Sequence, residues 1–446
     1  KFSDAPAGQG ASTVGVSGDY ATLAEAANDF NGLAGGCTGD WTLTVISDLT
    51  EPDNVGFGNS TNGYTVTLKS DESEMRTITF TATAVHATYR GHLVIGVNDL
   101  NGTPIIQKTD KFVIDGGASK QLTLTNTSAS IAYSAIIIYY GDCDNGQVKN
   151  CVIANLSTNA GANSCTGIDF IAAGTFLIPN DYRVEGCVIS ALTGNVASGI
   201  QASGTATAGL AQTGAVITGN TIAAKRYGIF LALNAGGEIS NNEIKIQDGT
   251  ASALCLGIYH SNCNSLFGWT MDIVNNKFTE MTSLNNAAGD YGLIGMWLGA
   301  SATVAAPVRP VYNVCNNMIA NFSFPGNNAV RDETYKGINL VAEYTDFNIF
   351  NNSIDMVEQP RLTAGTRGRT FAIGATSVTA GSQIKNIKNN IIRYGVADGA
   401  NAYALYSPIA TGINSDFNNI YIYSATNQFA YVGTTSCADL SAWQTQ

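Results

Sequence analysis

Paired asparagines punctuate this chain. Asn241-Asn242, Asn275-Asn276, Asn316-Asn317, Asn351-Asn352, Asn389-Asn390 and Asn418-Asn419 recur to the end, each shortly before an apolar side chain. With the second residue of each pair as phase marker, and Cys151, Cys187 and Asn220 as earlier versions, successive markers lie 36, 33, 22, 34, 41, 35, 38 and 29 residues apart. A period of this kind, with connections of varying length, restricts the chain to stacked repeats.

A second marker, Gly or Ala followed by an apolar residue, interleaves with the first. It occurs in Gly167-Ile168, Gly199-Ile200, Gly228-Ile229, Gly257-Ile258, Gly295-Met296, Gly337-Ile338, Ala372-Ile373 and Ala404-Leu405, so each period holds two short strand-like cores. Helical arrays share a period of about 33 to 35 residues, but paired Asn, Gly and β-branched residues are poor helix formers. A propeller blade needs four strands with antiparallel turns. Two strand markers per unit fit coils of parallel strands better.

The Asn pairs have a physical reason in such a coil. Asn tolerates the left-handed backbone of a tight corner, and its amide carries donors and an acceptor. Coils stack about 4.8 Å apart, so one Asn per coil can bond to those above and below. The expected ladder is Cys151, Cys187, Asn220, Asn242, Asn276, Asn317, Asn352, Asn390 and Asn419, with the two cysteines as small apolar stand-ins.

Charged residues make up 13 % of the 446, against about 25 % in typical globular chains, and Gly numbers 48. The net charge of −12 offers a nucleic acid nothing to bind and repels anionic lipid. No run of eighteen apolar residues predicts a membrane span. The chain opens at Lys1 without an apolar leader, which fits a cytosolic protein or a mature exported one. Nine cysteines form no CxxC pair, and their odd number leaves at least one thiol unpaired within the chain. Cys255 and Cys263 flank one strand and its exit loop, and whether any pair is bridged stays open.

Residues 1–16 are small and polar and read as a flexible lead-in. In 17–30, Leu23, Ala26, Ala27 and Phe30 fall at helical spacing, the pattern of a helix covering a solenoid's open first coil. Thr-, Val- and Ile-rich runs over 41–150 predict irregular first coils, 151–423 the phased coils, and 424–446 a C-terminal segment whose unfinished pattern leaves open whether a longer chain continues from it. The expected fold is all-β: a single right-handed parallel β-helix of about twelve coils, helix-capped, with side loops.

Phe112-Val113-Ile114-Asp115-Gly116-Gly117, Leu122-Thr123-Leu124-Thr125-Asn126-Thr127 and Val148-Lys149-Asn150-Cys151-Val152-Ile153 resemble the secreted right-handed parallel β-helix proteins of bacteria, in the broad pectate-lyase-like superfamily. Leu440-Ser441-Ala442-Trp443-Gln444 is similar to a segment that precedes further coils in such proteins. The resemblance implies an extracellular, cell-surface location. It covers lyases, hydrolases, adhesins and structural proteins, so it implies no single activity.

Strand alternation puts Asp169, Gln201, Phe230, Tyr259, Trp297, Asn339 and Tyr406 in one outward column. Phe230, Tyr259 and Trp297 then span roughly 10 Å, comparable to two sugar rings, while Asp169, Gln201 and Asn339 offer hydroxyl partners. Loops folding over the face would instead bury these rings. The leading reading is a non-catalytic surface or matrix protein that binds glycan, or self-associates, through this column. A polysaccharide lyase or glycoside hydrolase is the alternative, and an extracellular fibre subunit the third.

Catalytic candidates are sparse. A lyase base would come from Lys225-Arg226, Arg331-Asp332-Glu333, or Arg361, Arg367 and Arg369 beside Ca²⁺. Asp142 and Asp144 are the metal candidates, but Asp142-Cys143-Asp144-Asn145-Gly146 breaks the calcium-loop register and a solvated turn explains it equally well. Asp169 has no acidic neighbour one coil away, as paired-carboxylate hydrolysis would need. His86, His92 and His260 form no metal-ligand spacing, and GxSxG and phosphate-loop motifs are absent.

Overall fold

The computed structural model describes residues 8–100, 103–127, 134–156, 164–173, 178–192, 196–204, 211–247, 254–264, 268–282, 292–301, 308–323, 334–341, 343–357, 370–376, 383–395, 402–423 and 427–444. The strands form three sheets of 13 strands each, and every described strand pairing is parallel except a C-terminal hairpin of Gln428–Val432 with Thr435–Cys437. With only two helices among the described residues, this is a right-handed parallel β-helix. The chain divides into two compact units, 1–222 and 223–446. Among the described residues no helix is long and apolar enough to cross a membrane.

In the first unit the helix is Leu23–Asn31, and the four residues at helical spacing are its buried ones. Thr22 caps it by accepting the Glu25 N–H, and the buried Glu51 carboxylate accepts the N–H of Leu23 at 2.6 Å, using the helix's unpaired donors. Phe30 stacks on Trp41 at 5.9 Å and lies 5.7 Å from Phe57, closing the first coil. The lead-in differs from expectation: Gly10–Val14 is a strand, paired in register with Trp41–Val45. Its Ser12 and Val14 are buried there, which the small polar composition of the segment conceals.

Strands of the first two sheets alternate as an outward-wet, inward-dry surface requires: Trp41–Val45, Val66–Ser70 and Leu122–Asn126 each bury every second residue. The third sheet does not. Gly91–Ile95 is buried along its whole length because a second layer, Tyr89, Val97 and Leu100, packs outside Val94 and Ile138.

Corners between the first and second sheets carry the Asn pairs, with a division of labour inside each pair. The first residue turns the chain: Asn241, Asn275, Asn316, Asn351 and Asn389 have φ of 56°, 59°, 58°, 57° and 57°. The second forms the ladder. In the second unit the Nδ2 of Asn242, Asn276, Asn317, Asn352 and Asn390 donates to the Oδ1 of the next rung at 2.9 to 3.0 Å. In the first unit Cys151 and Cys187 occupy the same buried position, each thiol directed at a carbonyl of the preceding coil, and Asn220 accepts the Cys187 N–H at 2.9 Å.

The last rung corrects the expected ladder. Asn418, not Asn419, accepts from Asn390, while Asn419 begins an edge strand and is exposed. Phe417 takes the left-handed corner at φ 54°, a conformation unusual for a bulky residue, and so shifts the phase by one.

Two further ladders have no counterpart in the sequence reading. Asn126 and Asn155 are bonded at 3.3 Å in the first unit. On the wet face of the first sheet, Asn414, Asn386, Asn348, Asn313 and Asp272 are joined at 2.8 to 2.9 Å.

The glycine marker has a packing cause. A Cβ on Gly257 would sit 2.3 Å from the Phe278 ring and 2.7 Å from the Gly295 carbonyl, and Gly228, Gly295 and Gly337 likewise abut the next coil's backbone. Gly257→Ala is therefore expected to cost about 1–3 kcal/mol by overpacking, seen as a lowered unfolding midpoint.

Cys37, Cys143, Cys151, Cys165, Cys187, Cys255, Cys315 and Cys437 are thiols, and the Cys263 side chain lies outside the described residues.

Candidate glycan-binding site

The third sheet carries the outward column in each unit. In the first unit Val94, Ile138, Asp169 and Gln201 are successive neighbours across adjacent strands. Asp169, the neighbour of Ile138, is 6 % exposed rather than facing solvent. Among the described residues its Oδ1 has no hydrogen-bond partner, and burial pushes the carboxyl up to about 8. Thr166 and Ser198 pair beside it; both are buried, and the Ser198 hydroxyl is also unsatisfied. Asp169 is the only acidic residue on any strand of this sheet.

In the second unit Phe230, Tyr259, Trp297 and Asn339 occupy successive strands, as the alternation predicts. Phe230 and Tyr259 stack at 5.0 Å and 17°, and Tyr259 lies 6.1 Å from Trp297. All three rings are half-buried. Asn339 is fully buried, and among the described residues its Nδ2 has no partner. Tyr406 is 4 % exposed, stacked between Phe371 at 5.4 Å and Tyr431 at 5.2 Å. Asn339 and Tyr406 are thus neighbours of the stripe but not solvent-facing.

The break in the ring column at Asn339 is filled from the side. The Lys336 ammonium lies 5.7 Å from the Trp297 ring and 5.2 Å from that of Phe371, a cation between two π faces. Gly374 has no side chain because the Phe371 ring occupies that space, 2.6 Å from where a Cβ would be. Tyr227, under the Arg226 guanidinium at 4.6 Å, contacts both Phe230 and Tyr259. The result is a cation-punctuated row of rings, half-wet at Phe230 to Trp297, dry at Phe371 and Tyr406, and half-wet again at Tyr431. Strict alternation misses Tyr227, Lys336 and Phe371, because the marker glycine in each strand puts residues three apart on one side.

The other candidates separate. The carboxylates of Asp110, Asp142 and Asp144 lie within 4.8 Å of one another, and Lys108 reaches into them, 3.4 Å from Asp110 and 3.1 Å from Asp142. Their charge is answered by that ammonium and by backbone N–H groups, Asp144 from Asn180 and Asp110 from Asp144. His92 and His260 are buried, and burial pushes them down to about 4 and about 3, so both are neutral core groups. His260 bonds the Tyr312 hydroxyl through Nδ1 at 2.6 Å. Arg331, Asp332, Glu333, Arg361, Arg367 and Arg369 lie outside the described residues.

No family model and no curated protein matches the chain. It is similar to a pectin methylesterase from Aspergillus niger at 12 % identity, over 86 % of this chain and 91 % of that one, with a TM-score of 0.29. A family 28 exopolygalacturonase from Yersinia enterocolitica is 11 % identical over 94 % of this chain and 76 % of that one, TM-score 0.28. The A-module of the mannuronan C-5 epimerase AlgE4 from Azotobacter vinelandii is 12 % identical over 97 % and 98 %, TM-score 0.30.

Proposed function

We propose that this protein recognises an extracellular polysaccharide, with the Phe230, Tyr259 and Trp297 stripe of the second unit as its binding surface. The observation carrying this reading is the half-buried row of rings itself, since contiguous aromatic surface left accessible to solvent marks a binding site more often than an accident of folding. Flat rings cover the apolar faces of sugars, and the half-buried Lys336 supplies a polar contact at one end. Two central anchors worth about 1–2 kcal/mol each make a loss of about 100-fold in affinity the expected result for Tyr259→Ala with Trp297→Ala. Retention on insoluble polysaccharides measures it, and unchanged retention on every polysaccharide that holds the wild type rejects the stripe.

A second reading, turnover of a polysaccharide at the first unit, is favoured by one observation. Asp169 is a buried carboxyl that burial pushes up to about 8, with an oxygen unengaged among the described residues, as suits a general acid. Incubation with acidic and neutral polysaccharides, with and without Ca²⁺, distinguishes the readings. New reducing ends or unsaturated-uronate absorbance, lost in Asp169→Asn, establish turnover, and their absence across the panel leaves binding alone.

A further inference from the structure

The last coil of the second unit is open on two of its three sheets. The third sheet is terminated by the hairpin of Gln428–Val432 with Thr435–Cys437 and by the helix Leu440–Gln444. The last strands of the first and second sheets, Ile413–Asp416 and Asn419–Ile422, pair on one side only among the described residues. The Gly412 and Asp416 carbonyls accept from Lys385 and Asn389, and the Asn419 and Tyr423 N–H groups donate to Asn390 and Tyr394, so these residues face back into the stack. The alternate residues Ile413, Ser415, Ile420 and Ile422 therefore turn their backbone groups to a free edge.

The core is uncovered at the same place. Ile387, Ile392 and Tyr394 are buried, whereas their in-register neighbours Ser415, Ile420 and Ile422 are half-buried, and Phe417 at the corner is 78 % exposed. A cleft of about 480 Å³ lies there, walled by Ile413, Ile420 and Trp443 together with the polar Ser415, Asp416 and Asn418. The inner ladder stops short as well. Asn276, Asn317, Asn352 and Asn390 each give both the backbone N–H and Nδ2 to the Oδ1 of the rung that follows. Among the described residues the Asn418 N–H has no acceptor, and its Nδ2 turns aside to the Ser415 hydroxyl at 3.0 Å.

Free edges recruit an extended chain, the half-buried columns recruit apolar side chains at every second position, and the corner N–H recruits a side-chain carbonyl. We propose that this open end binds a strand–corner–strand segment of another polypeptide, which adds one strand to each of the first two sheets and sets an Asn against Asn418. A second copy of the chain fits less well, because its own Asn418 Oδ1 is already taken by Asn390. The site is independent of the aromatic stripe and of the glycan reading.

The test uses the full chain and, as probe, a fluorescein-labelled peptide copying residues 383–395, the segment that already pairs with the other side of both edge strands. Fluorescence anisotropy at pH 7 is expected to show one peptide bound per chain, with amide exchange slowed within 413–422. The peptide carrying Asn390→Leu should bind at least tenfold more weakly, since no side-chain oxygen then meets the Asn418 N–H. In the protein, Ile422→Pro removes a donor that faces only the free edge, a position where an edge strand tolerates proline. With its unfolding midpoint unchanged, that variant should bind the peptide at least tenfold more weakly. No peptide uptake by wild type, equal binding of the two peptides, or full uptake by folded Ile422→Pro overturns the proposal. So does a wild-type dimer in light scattering that Ile422→Pro dissolves, which would give the edge to a second copy.

Discussion

Asp169→Asn should make the first unit more stable at neutral pH, a gain from removing the proton uptake that folding requires rather than from adding a contact. The wild-type carboxyl is raised to about 8 by burial, whereas an unfolded Asp titrates near its ordinary value of 3.8. Between those values the folded chain holds a proton that the unfolded chain has lost, so stability falls as pH rises from about 4 to about 8 and is level on either side. The difference between the limbs is on the order of 5 kcal/mol. Asn keeps the shape and cannot ionise, so the variant's chemical unfolding midpoint should exceed that of wild type at pH 8, with the gap closing by pH 4. A constant difference across that range would show that Asp169 is not the titrating group. A group that burdens the fold at physiological pH, with an unengaged oxygen, is the kind of residue function retains.

Cutting the inner ladder should have a comparable effect by another route. Asn352 is 0 % exposed; its Nδ2 donates to the Val314 carbonyl at 2.8 Å and to Asn390 at 3.0 Å, and its Oδ1 accepts the Asn317 N–H and Nδ2, both at 3.0 Å. Asn352→Leu leaves several buried polar groups unsatisfied, each costing about 1–3 kcal/mol. A loss of about 4 kcal/mol is expected in chemical unfolding of the second unit, with amide exchange accelerating first at Asn317, whose N–H loses its acceptor. Asn348→Ala, one strand away on the wet face, should cost under about 1 kcal/mol because water replaces its bonds. Equal losses for the two would mean that burial does not set the ladder's worth.

Much of the architecture could be read from residues because a coil imposes its period on polar corners. Thr22 through Asn31 was legible for the same reason: the apolar residues fall at helical spacing. The aromatic column was found because Phe230, Tyr259 and Trp297 follow the glycine marker at one offset, but its exposure was not, since a second apolar layer covers a strand without leaving a mark on that strand. The outer ladder had a signal that went unused: Asp272, Asn313, Asn348 and Asn386 each stand four residues before a ladder Asn. The same offset from Asn414 gives Asn418 rather than Asn419, and would have set the last corner correctly. Lys385, buried in register between Phe347 and Ile413, could not be placed inside, because composition never argues for a lysine in a core.

The two asparagine columns of the second unit run in opposite senses. In the inner one each amide hands its hydrogen to the rung that follows in the chain, a sense fixed by the second hydrogen that Asn276, Asn317, Asn352 and Asn390 give to a carbonyl of the coil before. In the outer one each hands its hydrogen to the rung that precedes, down to Asp272, which as a carboxylate can only receive. Aligned side-chain dipoles reinforce along a column, so the two columns oppose each other, the buried one being less screened by water than the one on the wet face.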